Sequence, residues 1–181
     1  MANRFGLFAS FWLYPILAGI VFLWARADEP SLAPLDYILW VLSGGLLWTL
    51  VEYGMHRFVF HSAPSSPRLA RIVHGLHLDH HHDPRDARKI LVRPRTSLPL
   101  SLVILGVTYG GTGSSVEAAG IMTGVWAGFL YYEWVHYRVH TSSSVRRGMD
   151  GQRRRHFHHH FIDDRKRFGV TSPFWDWVFR T

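Results

Sequence analysis

Histidine spacing constrains this chain more than any other feature. Ten of its thirteen histidines fall into four short patterns. His56 and His61 make H-x-x-x-x-H, and His77, His80 and His81 make H-x-x-H-H. His136 and His140 lie four apart, and His156, His159 and His160 repeat H-x-x-H-H. Helix positions i, i+3 and i+4 share a face. His156, His159 and His160 are therefore expected to point one way, and so are His136 and His140. One His-x-x-x-His pair on an apolar helix is more often packing than ligation. Four patterns in 181 residues point to metal ligation, so the fold must bring four separated segments to one place.

The donor chemistry narrows the metal. The chain has no cysteine, so disulfides and thiolate sites are excluded and any ion is held by nitrogen or oxygen. Imidazole suits iron, zinc, copper or nickel. Ten imidazoles exceed the ligands of one octahedral ion. They suit two ions with about five nitrogens each, leaving a position on each for oxygen or water. Spacing does not identify the metal, and a structural zinc pair is a rival reading. Carboxylates stand close by in sequence: Glu52, Asp79, Asp83, Asp86, Glu133, Asp163 and Asp164. They are expected to accept the second ring N–H of the ligands, although some such charges are simply solvated. His74, three residues before His77 and near the ligand face, is expected beside the centre or facing substrate, with ligation as the alternative. His82 and His158 fall off their helical faces and are read as solvent or interface residues. No catalytic residue beyond the metal centre is expected.

Apolar runs set these patterns against a membrane. Residues 5–24 form a run long enough to cross a bilayer core of about 30 Å, and membrane helices tolerate a proline such as Pro15. The basic Met1–Arg4 and the Ala25-Arg26-Ala27 triplet would also fit a cleaved signal peptide; the run's length and the second run after it argue against that. Residues 35–55 form the second span, with Gly44-Gly45 allowing a neighbour to approach closely. A helix over 69–82, stopped by Pro84, is expected to carry the second histidine pattern. Residues 97–113 and 118–135 are read as a hairpin of two spans. Its first arm is short, and either spans with flanking residues or re-enters. The expected fold class is an all-α integral membrane protein: one domain, 1–181, with about four transmembrane helices. Segments 56–96 and 136–181 would form a cytoplasmic helical cap carrying the dimetal site.

Eight of the twenty Lys and Arg lie in 56–96 and ten in 138–181. The positive-inside rule puts both segments on the cytoplasmic side, with all ten imidazoles in one compartment. The same rule accounts for the net charge of +7 without a nucleic-acid partner. The aromatic stretch 171–180 is expected at the membrane interface or packed under the metal site.

Together with their neighbours, the patterns resemble the fatty acid hydroxylase/sterol desaturase superfamily over roughly Leu35 to Thr181. The matching pieces are Glu52-Tyr53-x-x-His56-Arg57-Phe58-x-Phe60-His61 and His77-x-x-His80-His81-x-x-Pro84-x-Asp86. His136-Tyr137-x-x-His140 and His156-x-x-His159-His160-Phe161 follow, then Phe168-Gly169-Val170-Thr171-Ser172 with Trp175-Asp176. The histidine pattern alone is shared with acyl desaturases, sterol oxidases and carotenoid hydroxylases. The first box and the Phe-Gly-Val-Thr-Ser…Trp-Asp tail narrow the likeness to fatty acid 2-hydroxylases. The resemblance implies that the ten histidines hold two iron ions, that O2 is activated, and that one oxygen atom enters a C–H bond of a lipid chain. Redox-inert zinc cannot supply that oxidation, although purified protein can carry it. Many eukaryotic relatives have a fused cytochrome b5 domain, and with 181 residues none is expected here. A separate electron-transfer protein is therefore expected, and the small size suggests a bacterial inner membrane.

The leading functional reading is an O2-dependent hydroxylase of the acyl chain of a fatty acid or membrane lipid. A rival within oxidation is a carotenoid or sterol-type isoprenoid hydroxylase or desaturase. A rival from another class is a non-enzymatic metal-binding or metal-transport membrane protein. Transport usually sets ionisable ligands near mid-membrane, whereas here they lie at helix ends and in polar segments.

Overall fold

The apolar runs become helices, because backbone polar groups in lipid must find partners within their own segment. The computed structural model describes residues 4–142 and 149–181, and no strand occurs among them. The n-region considered at Met1–Arg4 lies outside them except for Arg4. A single turn at Arg4–Leu7 leads into α1 (Ala9–Asp28), and α2 (Pro34–Gly54) follows. α2 runs directly into a π-helical turn, π1 (Met55–Phe60). The segment expected as one helix over 69–82 is helical throughout, in three pieces: α3 (Pro67–Val73), π2 (His74–Leu78) and α4 (Asp79–His82). It stops just before Pro84, as proline sterics require. The remaining elements are α5 (Ala87–Ile90), α6 (Pro94–Thr112), α7 (Ser115–Thr141), α8 (Asp150–Phe161) and α9 (Phe174–Phe179). Proline opens α3 and α6 at the first turn, where its missing N–H leaves no bond unmade. Gly113, at φ 65°, closes α6 in the left-handed conformation.

Three helical stretches among the described residues are long and apolar enough to cross a membrane: Ala9–Asp28, Pro34–Phe60 and Ala87–Thr112. The short arm at 97–113 therefore falls within a qualifying stretch. α7, which holds the run at 118–135, does not qualify by composition. The reason lies in its packing. Ala118, Ala119, Met122, Val125, Trp126 and Phe129 of α7 are all buried. A helix screened by other helices needs less apolar surface than one facing lipid.

The chain divides into two compact units. The first comprises the residues up to Trp48 together with Val92–Leu130. Lipid offers no hydrophobic drive for helices to associate, so close packing and buried polar contacts must hold them. Gly44 and Gly124 supply the close approach: a Cβ on Gly124 would overlap the Val41 carbonyl oxygen, and one on Gly44 would overlap that of Ile121. Gly45 faces open space, so only one member of the Gly44-Gly45 pair makes the expected contact. Polar contacts supply the rest. The Tyr14 hydroxyl is 2.6 Å from Ser97 Oγ, and Trp126 Nε1 donates to Ser101 Oγ. The Tyr14 ring packs on Trp126 and edge-on against Phe129. Trp12, Ile16, Leu23, Leu42 and Leu46 are exposed, as lipid-facing side chains would be.

The second unit, Thr49–Leu91 with Tyr131–Thr181, contains all thirteen histidines.

Candidate metal centre

The first histidine pair depends on the π turn. Five residues along an α-helix, side chains diverge by about 140°. In π1 the His61 amide instead donates to the His56 carbonyl at 3.2 Å, the i→i+5 closure of a π-helix. The two rings come to 5.1 Å between centroids. π2 makes the same closure, with the Asp79 amide donating to the His74 carbonyl. His77 and His81 then meet at 3.0 Å between Nε2 atoms.

Ten imidazoles converge in two sets of five. His56, His61, His77, His81 and His159 form the first group; His80, His136, His140, His156 and His160 form the second. Within each, one ring nitrogen per residue lies within 4.8 Å of all the others. Each H-x-x-H-H motif is split between the groups. His77 and His81 go to one and His80 to the other; His159 goes to one and His156 and His160 to the other. Shared helical faces therefore brought these residues together without deciding which group each would join. The groups adjoin, with the rings of His81 and His160 stacked at 4.0 Å.

The short contacts suit ions better than hydrogen bonds. In the first group Nε2–Nε2 distances are 3.0 Å for His56–His77, His77–His81 and His61–His159. In the second they are 3.0 Å for His80–His136, 3.1 Å for His80–His140 and 2.7 Å for His140–His156. Ligands at right angles, each about 2.1 Å from one ion, sit about 3.0 Å apart, whereas tetrahedral ones sit about 3.4 Å apart. His56 Nδ1–H donates to the Phe168 carbonyl at 2.5 Å and His159 Nδ1–H to the Lys166 carbonyl at 2.7 Å. A carbonyl can only accept, so each neutral ring turns a bare Nε2 lone pair into the group. Burial, and next the imidazole of His159, push His81 down to about 3 and His61 to about 4. Burial likewise lowers His77 and His160. The rings are thus held neutral, the form that ligates. Both ring nitrogens of half-buried His160 are shielded from solvent and have no hydrogen-bond partner among the described residues. An all-nitrogen donor set with these spacings fits two ions.

Four of the seven acidic neighbours pair with residues close to them in the chain. Asp79 pairs with His74 at 2.9 Å, and both are about half exposed. His74 thus lies outside the two groups, stacked on His82. Asp83 pairs with Lys89, Asp86 with Arg88 and Asp163 with Lys166. Asp86 also caps α5 by accepting from the Arg88 amide. Each of these four short carboxylates has a partner nearby in the chain, a local pairing that spacing to a histidine does not reveal. Asp164 lines a cavity of about 330 Å³ with Arg57, Arg165 and His61. Glu133 is buried one helical turn before His136. Glu52 is buried, but accepts from the backbone of Val170 and Thr171 rather than from a ring. Sequence reasoning missed the Phe168 and Lys166 carbonyls, because any residue type carries a carbonyl. It also missed Asp176, buried and accepting from the Phe168 and Gly169 amides. Its one signal was the Trp175-Asp176 pair in the tail motif. A second cavity, about 500 Å³, reaches His140 and is lined by Pro84, Arg85, Arg153, Phe157 and Phe161.

Fold and site define an all-α protein with helices fit to span a membrane and two adjoining all-nitrogen histidine groups that could each hold a metal ion. The chain belongs to the fatty acid hydroxylase family, whose sequence profile matches residues 41–181. It is 34% identical over 141 residues to the dihydroceramide fatty acyl 2-hydroxylase FAH2 of Arabidopsis thaliana, covering 78% of this chain and 59% of that protein. To the fatty acid 2-hydroxylase of Homo sapiens it is 32% identical over 149 residues, covering 76% of this chain and 38% of that one. It thus spans less than two thirds of the length of either relative. A solved structure described as full-length scs7p, with only the hydroxylase domain visible, superposes with a TM-score of 0.81 at 28% identity. That match covers 94% of this chain and 65% of the other.

Proposed function

We propose that this protein hydroxylates the acyl chain of a fatty acid or membrane lipid, at carbon 2, using O2 and two iron ions held by the ten histidines. The observation that carries the reading is the convergence of ten imidazoles into two adjoining five-nitrogen groups. The names of the relatives support the substrate class and the carbon position. Two irons, when bound, would supply the oxidising power to place one oxygen atom in an unactivated C–H bond. The chain's own residues hold and shield that chemistry. Burial keeps the imidazoles neutral and water away, and five nitrogens per group leave one octahedral position for a non-protein ligand. The cavity at His140, with Phe157 and Phe161 in its wall, is where an acyl chain would reach the second group. Near-right-angle nitrogen spacing favours this over a structural zinc pair, whose sites are tetrahedral. Electrons come from a separate protein. The chain lies in a bacterial inner membrane with 56–96 and 136–181 on the cytoplasmic face.

The test is expression under labelled oxygen gas, followed by mass spectrometry of extracted lipids. Acyl chains should gain one labelled oxygen, and His136→Ala should remove the gain. Persistence of that product in the variant would refute the site. Iron with a reversible redox change in purified protein would separate this reading from metal transport. Because the chain lacks native cysteine, the single variants Ser65→Cys and Ser31→Cys test the orientation. Only the first should react with a thiol reagent from the cytoplasmic side.

A further inference from the structure

We propose that Asp176 and Glu52 are positioning residues for the first histidine group, acting on His56 through the backbone of residues 168–171. The proposal rests on reading that group as a metal site. Four consecutive backbone amides are taken by these two buried carboxylates. Phe168 and Gly169 donate to Asp176 at 2.8 and 2.9 Å, and Val170 and Thr171 to Glu52 at 2.7 and 2.9 Å. The Thr171 hydroxyl adds a bond to the other Glu52 oxygen. In a trans peptide the N–H and C=O point opposite ways. Anchoring the Gly169 N–H on Asp176 therefore aims the Phe168 carbonyl away from Asp176, towards His56 Nδ1. Glu52 lies four residues before His56, so the same stretch of helix is tied to the tail at both ends. Gly169 makes the approach feasible, since a Cβ there would overlap the Ser172 carbonyl oxygen.

The second group has no such support among the described residues. The Nδ1 atoms of His80, His136 and His156 have no hydrogen-bond partner there. The Asp176 contact should therefore tune one ion and leave the other alone.

Full-length protein loaded with two Co(II) ions, then mixed with excess chelator, reads this directly. Asp176→Asn should speed release of one ion 10- to 100-fold, the range of an outer-sphere change, and leave the other within about twofold. The accelerated ion should be the one absent from His56→Ala. Glu52→Gln should have little effect. It keeps an acceptor oxygen for both amides, and the Thr171 hydroxyl can reverse its bond. Equal acceleration of both ions, or of neither, overturns the proposal. If Asp176→Asn fails to fold, zinc-loaded wild type still decides. The His56 Nδ1–H proton, assigned with His56→Asn, should resonate downfield of those of His80, His136 and His156, and an equal shift overturns the proposal. Wild type that binds no ion would sink the metal reading and this inference together, whereas two ions with unchanged release would sink only the inference.

Discussion

The two histidine groups draw on the same four segments in different proportions. The first takes His56 from π1, His61 just after it, His77 from π2, His81 from α4 and His159 from α8; the second takes one from α4 and two each from α7 and α8. The first is fastened from outside by the Lys166 and Phe168 carbonyls, with Asp176 holding the Phe168 amide and Glu52 the Val170 amide. The second is seated on α7, where His136 and His140 lie one turn apart in a continuous helix. One group is thus placed by irregular backbone that must be tied down, the other by regular helix. Equal ligand counts do not imply equal support.

The contrast breaks first at the ligands. His56→Ala and His156→Ala should each lower product formation by more than the roughly 100-fold of an outer-sphere change, and each should cost one ion per chain by elemental analysis. Loss of both ions in either variant would show that the groups act as one. A smaller effect is expected in the first unit. Gly124→Val should lower stability by about 1–3 kcal/mol through overpacking against Val41. The readout is a lower melting temperature in detergent, with the ion content per folded chain unchanged.

Acid should destabilise the ion-free protein more gradually. The folded pKa values of His61 and His81 are depressed by burial to about 4 and about 3, while an unfolded histidine titrates near 6.5. Below about 6.5 the unfolded chain takes up protons that the folded chain refuses. Stability should therefore be full above that pH and fall as pH drops through the two folded values. Denaturant midpoints across pH 7 to 4 would check this, and a flat profile would contradict neutral, buried rings. The smallest effect belongs to the surface pairs. Asp163→Ala should leave the melting temperature nearly unchanged, as for other exposed ion pairs, and leave activity unchanged in the lipid assay.

Much of the fold was legible because its signals are local. Apolar runs at 5–24, 35–55 and 97–113 became helical stretches fit to span, and Pro84 marked the end of a helix. The ten candidate ligands were legible for the same reason, since each pattern lies within one or two helical turns. Asp79, Asp83, Asp86 and Asp163 turned instead to partners near them in the chain, because closeness in sequence is a poor guide to a histidine's outer partner. Asp86 and Asp163 bond their own neighbours, whereas His56 is held by the carbonyl of Phe168, 112 residues away.

The sequence by itself determined the segments, the ligand types and the number of imidazoles, because helix period and side-chain chemistry act over a few residues. Tertiary structure alone decided the division into two fives, the π turn that brings His61 to His56, and the fastening of His56 by the tail. Those depend on how distant backbones meet, and peptide carbonyls and amides look alike at every position of a sequence.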